Sequence, residues 1–352
     1  MRTRPLDDFI ERHAVHSAAA RRPEGVTFEL SYGCNLRCVH CANPTHRALP
    51  AELSTEEICG ILEQIASLGV MTVTFTGGEP TVRPDLLQIL DHTQRQGLLI
   101  QLLTNATRLT PQLLDRLECL PVTSLNVSIY GATAERYEAM TGIPGSYAQF
   151  RLGLQLLATR RLPVTLRMPV TSVNVDDLVA CRDLADSLGL PFQYCLDITP
   201  RTDGDLTPLT YRLDPLTKAE IDHRLLAGRL AAWVPDRCNP DRPFISCACG
   251  QSRFAVTPYG HMNLCIGFPF PGYNLRTGTI REGWDVLKRT VDEATPNERD
   301  RCPSCDLQRF CRQGRADAWL ETGDMSRCLP HFKQWAQALE ATHALLDPRR
   351  PR

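Results

Sequence analysis

Cys34, Cys38 and Cys41 stand in Tyr32-Gly33-Cys34-Asn35-Leu36-Arg37-Cys38-Val39-His40-Cys41, a CxxxCxxC spacing. Thiolates are soft ligands, suited to zinc or to iron–sulfur centres. A structural zinc site takes four ligands, and a ferredoxin cluster takes four cysteines. Three thiolates with no fourth nearby suit a cubane cluster that leaves one iron open. An open iron can bind a small molecule, which is a catalytic arrangement. Incidental or zinc-bound cysteines are the plainer alternative.

A second cysteine set lies toward the carboxyl end. Cys247-Ala248-Cys249-Gly250 precedes Pro258-Tyr259-Gly260 and Cys265, and Cys302, Cys305, Cys311 and Cys328 follow. The chain holds 15 cysteines in 352 residues. In a small secreted protein these would read as disulfides. Here the chain is long, its first residues lack the apolar core of a signal peptide, and the cysteines cluster, so metal or iron–sulfur ligation fits better. Cys59, Cys119, Cys181 and Cys195 lie singly in periodic apolar segments and are expected to be buried and structural.

The elements that must position these residues alternate. Strand-like segments at 26–31, 71–76, 98–104, 122–130, 163–170 and 190–197 are separated by helical ones at 85–96, 110–118, 146–160 and 175–187. Ser54-Thr55-Glu56-Glu57 reads as a capping box opening a helix with Ile58, Ile61, Leu62 and Ile65 on one face. Alternation predicts an α/β fold: a parallel sheet with right-handed crossovers, here a partial, open (β/α)6 barrel. Function then belongs at the carboxyl ends of the strands. Residues 1–25 read as a lead-in, 26–200 as the barrel, 201–238 as linker and helix, 239–335 as a small loop-rich, cysteine-rich domain, and 336–352 as a helix and tail.

One βα unit after the triplet comes Thr76-Gly77-Gly78-Glu79-Pro80. Paired glycines permit close backbone approach of a ligand, and Glu79 is an acceptor for an ammonium group. With CxxxCxxC, this GGEP element resembles the radical S-adenosylmethionine (SAM) superfamily. The resemblance implies a 4Fe-4S cluster on Cys34, Cys38 and Cys41 whose open iron chelates SAM. Gly77, Gly78, Glu79 and Pro80 are then expected at its amino group. Asn105 in Leu103-Thr104-Asn105-Ala106-Thr107 and Ser128 in Asn126-Val127-Ser128-Ile129-Tyr130-Gly131 are candidate cofactor contacts, with hydrogen-bonded loop caps as the alternative. His40, where the family often has an aromatic residue, is expected to pack near the adenine.

The carboxyl-terminal cysteines resemble the SPASM extension of some radical SAM enzymes, which carries up to two auxiliary iron–sulfur clusters. Counted from Cys247 the spacing is Cx12Gx4C, and from Cys249 it is Cx10Gx4C. The resemblance implies a second auxiliary cluster on Cys302, Cys305, Cys311 and Cys328, with a zinc ribbon as the alternative. A further cysteine expected after three intervening residues beyond Cys311, the crossover ligand of the first cluster, is Arg315. The first cluster then has Cys247, Cys249 and Cys265, with a fourth position left to substrate, Cys238 or solvent, or is absent. One or two auxiliary clusters are therefore expected.

Auxiliary clusters suit net oxidation, because a substrate radical must surrender a second electron. A base must then take a proton. The sulfatase-maturing branch of the family has an aspartate directly after the Gx4C cysteine. That residue is Ile266 here, which argues against that activity. Asp197, Asp203 and Asp205 are weak catalytic candidates, turn and capping roles being the plainer reading.

The expected activity is oxidation or crosslinking of a ribosomally made peptide. Oxidation or rearrangement of a small metabolite, a carbohydrate alcohol or a tetrapyrrole side chain, is the alternative, and a non-catalytic iron–sulfur protein is a third. About 25 residues before the first strand are too few for a built-in leader-binding winged helix. The peptide reading thus expects a separate leader-binding protein or direct recognition. A flavodoxin or ferredoxin is the expected reductant. Net charge is −1 and no apolar run reaches spanning length, so neither nucleic acid nor a membrane is expected, and the cytoplasm is the expected compartment.

Overall fold

The computed structural model describes residues 17, 19–225 and 243–346. Six strands form the barrel: β1 Gly25–Ser31, β2 Thr72–Gly77, β3 Leu99–Thr104, β4 Val122–Ser128, β5 Val164–Pro169 and β6 Phe192–Cys195. They are parallel and lie side by side in sequence order. Between them run α1 Thr55–Ser67, α2 Leu86–Arg95, α3 Pro111–Glu118, α4 Ala134–Thr141, α5 Ser146–Leu157 and α6 Leu178–Ser187.

Side chains alternate across the sheet. Phe28, Leu30, Phe75, Leu102, Leu125 and Val127 are fully buried in the apolar core that includes the helices. The opposite face is polar, with Glu29, Thr76, Gln101, Asn126 and Arg167 among its residues. Ser54 caps α1 in the expected reciprocal box with Glu57. Thr110, followed by Pro111, caps α3. Helix α4 was not foreseen. It ends on Gly142 in a left-handed conformation (φ +67°), and its buried Tyr137, Met140 and Thr141 make a weaker apolar stripe than Leu113, Leu114 and Leu117 of the equally short α3. It nonetheless positions the triplet, because the Thr141 and Met140 carbonyls accept from the Arg37 and Val39 amides at 2.8 and 3.0 Å.

Beyond α7 (Pro215–Leu225), β7 Arg253–Val256 pairs in parallel with β1, and β8 His261–Cys265 and β9 Phe268–Asn274 continue antiparallel. One nine-stranded sheet therefore runs from β6 to β9. The loop-rich segment foreseen after residue 239 is an extension of the barrel sheet, followed by α8 Ile280–Glu293, α9 Arg315–Thr322 and α10 Pro330–Leu346. A four-residue β7 gives little sequence signal, whereas Thr279 and Glu282 form a capping box at α8 that could have been read. Of the lone cysteines, Cys181 is buried as expected, but Cys59 is half-buried and Cys119 and Cys195 are exposed. Cys119 sits at the carboxyl cap of α3, and Cys195 ends the edge strand β6, where the sheet offers cover on one side only. Among the described residues no helix is long and apolar enough to cross a membrane.

Candidate active site

Cys34, Cys38 and Cys41 lie on the loop at the carboxyl end of β1. That loop is pinned by α4, by the Cys34 amide on the His46 carbonyl (3.2 Å), and by the Thr202 amide on the Ala42 carbonyl (3.0 Å). Each thiol has a donor near it. The Leu36 and Asn43 amides donate to Cys34 Sγ and Cys41 Sγ, both at 3.4 Å, and the Tyr130 hydroxyl lies close enough to Cys38 to oppose the rise that burial gives its thiol. Burial pushes the Cys34 thiol up to about 12 and raises Cys38 and Cys41 as well. Without metal the buried thiols hold their protons, and a metal centre displaces them. Soft sulfur ligands with hydrogen-bond donors already directed at them fit an iron–sulfur cluster. Among the described residues, no three His, Cys, Asp or Glu side chains gather tightly enough for a single metal ion.

Gly77 and Gly78 follow β2 and pack on this loop. A Cβ on Gly77 (φ +120°) would lie 2.3 Å from the Ser31 carbonyl oxygen, and one on Gly78 would lie 2.2 Å from that of Gly33. The glycines are thus demanded by the chain's own backbone, where the sequence had suggested room for a ligand. Glu79 is 2% exposed. Its Oε1 accepts from the Thr81 amide (3.1 Å) and from the Thr81 and Thr104 hydroxyls (both 2.7 Å), and Oε2 accepts from the Asn105 amide at 2.7 Å. A carboxylate offers about four acceptor sites, so an ammonium partner competes with bonds that tie β2 to β3. Burial raises the Glu79 carboxyl, and those bonds oppose the rise. Pro80 opens the buried turn that follows.

Asn105 is also tied down. Its Nδ2 donates to Asn35 Oδ1 at 3.1 Å, and its Oδ1 accepts from the Thr107 amide and hydroxyl. It links the triplet loop to the end of β3. Ser128 ends β4, close to the Tyr130 hydroxyl. The His40 ring lies 5.5 Å from that of Tyr130, its buried Nδ1 has no hydrogen-bond partner among the described residues, and burial lowers its pKa to about 4. A neutral ring on an aromatic neighbour suits packing.

The three aspartates separate. Asp203 Oδ1 accepts from the Asp205 amide, and Asp205 Oδ1 from the Thr207 amide and hydroxyl, all exposed turn contacts. Asp197, just past β6, differs. Its side chain is 34% exposed, yet Oδ1 is sealed 3.6 Å from Lys218 Nζ, which is itself 1% exposed. Burial raises the Asp197 carboxyl against the pull of Lys218. Lys218 was not singled out from the sequence. Nor were Tyr130 and Glu29, although a glutamate within an apolar strand was a signal. Glu29 lies on the polar face, hydrogen-bonded to the Tyr32 hydroxyl, and burial pushes its carboxyl up to about 7.

The second cysteine set divides in two. The Cys249 thiol is within hydrogen-bonding reach of Cys247 and Cys265, which raises Cys249 and lowers Cys265. Cys302 lies near Cys311, and Cys328 near Cys305. Cys238 is outside the described residues.

Comparison with known proteins identifies the family. The radical SAM superfamily profile matches residues 28–185. The chain is 35% identical over 321 residues to the mycofactocin maturase MftC of Mycobacterium tuberculosis, covering 86% of this chain and 80% of that one. It is 27% identical over 344 residues to the AdoMet-dependent heme synthase of Methanosarcina barkeri, covering 87% and 95%. It is 28% identical over 325 residues to the PqqA peptide cyclase of Gluconobacter oxydans, covering 88% and 90%. Streptococcus suis SuiB, solved with its precursor peptide SuiA, shares the fold at a TM-score of 0.69 and 15% identity, covering 93% of this chain and 80% of SuiB. The chain is an enzyme of the radical SAM superfamily, which uses a 4Fe-4S cluster and SAM.

Proposed function

We propose that the enzyme oxidises or crosslinks a ribosomally made peptide. The observation that carries this reading is the 35% identity over four-fifths of a mycofactocin maturase, and the match to a peptide cyclase over 90% of its length supports it. Cys34, Cys38 and Cys41 would hold the SAM-binding cluster. Cys247, Cys249 and Cys265 would hold the first auxiliary cluster, and Cys302, Cys305, Cys311 and Cys328 the second. When bound, cluster and SAM supply a 5′-deoxyadenosyl radical that removes a hydrogen atom from substrate. The residues of this chain orient and deprotonate. The polar sheet face, with Gln101, Asn126 and Arg167, supplies donors and acceptors for a peptide backbone. Asp197, half open beside Lys218, would take the proton of a net oxidation. His40, Asn105, Ser128 and the Gly77–Pro80 turn would border SAM. A low-potential donor such as flavodoxin or ferredoxin would reduce the cluster, which puts the enzyme in the cytoplasm, and a separate leader-binding protein would present the peptide.

The match over 95% of a heme synthase favours a second reading, oxidation of a tetrapyrrole side chain. Reconstituted enzyme with SAM and dithionite separates the two. Incubation with the peptide encoded beside the gene should yield 5′-deoxyadenosine and peptide lighter by two hydrogens. Unchanged peptide alongside an oxidised tetrapyrrole would reverse the assignment.

A further inference from the structure

Arg315 stands where the SPASM resemblance expects a cysteine, and its side chain is 18% exposed at the start of α9. Its Nε donates to the Phe244 carbonyl at 3.4 Å, three residues before Cys247. Its Nη1 donates to the Met325 carbonyl at 3.2 Å and toward Cys302 Sγ at 3.8 Å. Its Nη2 pairs with Asp300 Oδ2 at 2.7 Å. The guanidinium carbon lies 4.1 Å from the centroid of the Phe244 ring. Asp300 is 3% exposed, and its Oδ1 accepts from the Cys302 amide at 2.9 Å. One side chain thus joins the segment leading to Cys247 with the loop of Cys302, and points a charged N–H at a ligand sulfur.

We propose that Arg315 is a positioning residue that clamps the two auxiliary cysteine sets together and holds the reduction potential of the Cys302 centre up. This rests on the reading that Cys302, Cys305, Cys311 and Cys328 bind an iron–sulfur cluster. An electron added to such a centre adds negative charge. A cation and an N–H···S bond at a ligand sulfur stabilise the reduced form, since charge and hydrogen bonds to sulfur set cluster potentials. Asp300 acts in the opposite sense and keeps the guanidinium aligned. Only a planar five-donor head can serve two carbonyls, a carboxylate and a sulfur at once; a lysine ammonium cannot.

The test is a redox titration of the anaerobically reconstituted full-length enzyme, followed by EPR, with no substrate present. Cys302→Ser first identifies the centre by the signal it removes. In Arg315→Met that signal should titrate at a more negative potential, while the Cys34/Cys38/Cys41 signal stays in place. In Asp300→Asn it should move the opposite way, and Arg315→Lys should fall between Met and wild type. If Arg315→Met does not fold, the Asp300→Asn and Arg315→Lys shifts decide the matter. Unmoved potentials, or shifts of one sign in the Arg315 and Asp300 variants, overturn the role of Arg315 and leave the cluster reading standing. Zinc without iron at Cys302 overturns both.

Discussion

The two cysteine regions are built differently. The amino-terminal triplet sits on one loop, fixed by backbone: two glycines without room for a Cβ, a helix end whose carbonyls accept the loop's amides, and amides aimed at sulfur. The carboxyl-terminal cysteines come from separate segments, drawn together by side chains such as Arg315 and Asp300. A backbone-made site has little tolerance for substitution and fixed spacing. A side-chain-made site can exchange one residue type for another, as the cysteine-to-arginine departure at position 315 illustrates.

Glycine substitutions test that contrast most severely. Gly78→Ala places a Cβ 2.2 Å from the Gly33 carbonyl oxygen, which belongs to a backbone that cannot step aside. It should cost about 3 kcal/mol or more by overpacking. At Gly250, beside Cys249, the new Cβ meets the side-chain ends of Val291 and Leu264 at 2.6 and 2.7 Å, with φ at +66°. Those ends are core side chains, and Val291 is stiff at χ1, so they yield only in part and add some overpacking to the left-handed strain of about 1–2 kcal/mol. Thermal unfolding should therefore show the larger fall for Gly78→Ala. Equal falls would erase the distinction between the two regions.

A pH-dependent effect probes the barrel itself. Burial lifts the Glu29 carboxyl from an ordinary 4.5 to about 7. A carboxyl whose pKa is raised by folding binds more protons in the native state, so stability falls as pH climbs from about 4.5 through about 7. Across that window the loss is on the order of 3 kcal/mol, at about 1.4 kcal/mol per unit. Glu29→Gln should be more stable than wild type at pH 8, and the advantage should fade below pH 5. A stability gain that ignores pH would show that Glu29 is ionised in a compensated site.

Much of this was legible in the sequence because it is local. The six strands, the Ser54–Glu57 box and the triplet depend on neighbouring residues. What escaped depends on partners far along the chain. Tyr130 reaches Cys38 only after β4 and the triplet loop are folded side by side. Lys218 meets Asp197 across 21 positions, and β7 finds β1 across more than 200. Helix α4 lies close in sequence, but it lacks the leucine stripe that announces the equally short α3. Glu79 was read as a ligand contact from its type, whereas its four donors come from a turn and a strand end that only the fold assembles.

We propose that Cys34, Cys38 and Cys41 hold a cluster with one iron open to SAM. Anaerobically reconstituted, dithionite-reduced enzyme should give an EPR spectrum that changes on adding SAM, and the Cys34/Cys38/Cys41→Ala triple variant should lose that response while keeping its auxiliary signals. A wild-type spectrum indifferent to SAM, or a triple variant that still responds, would contradict the account.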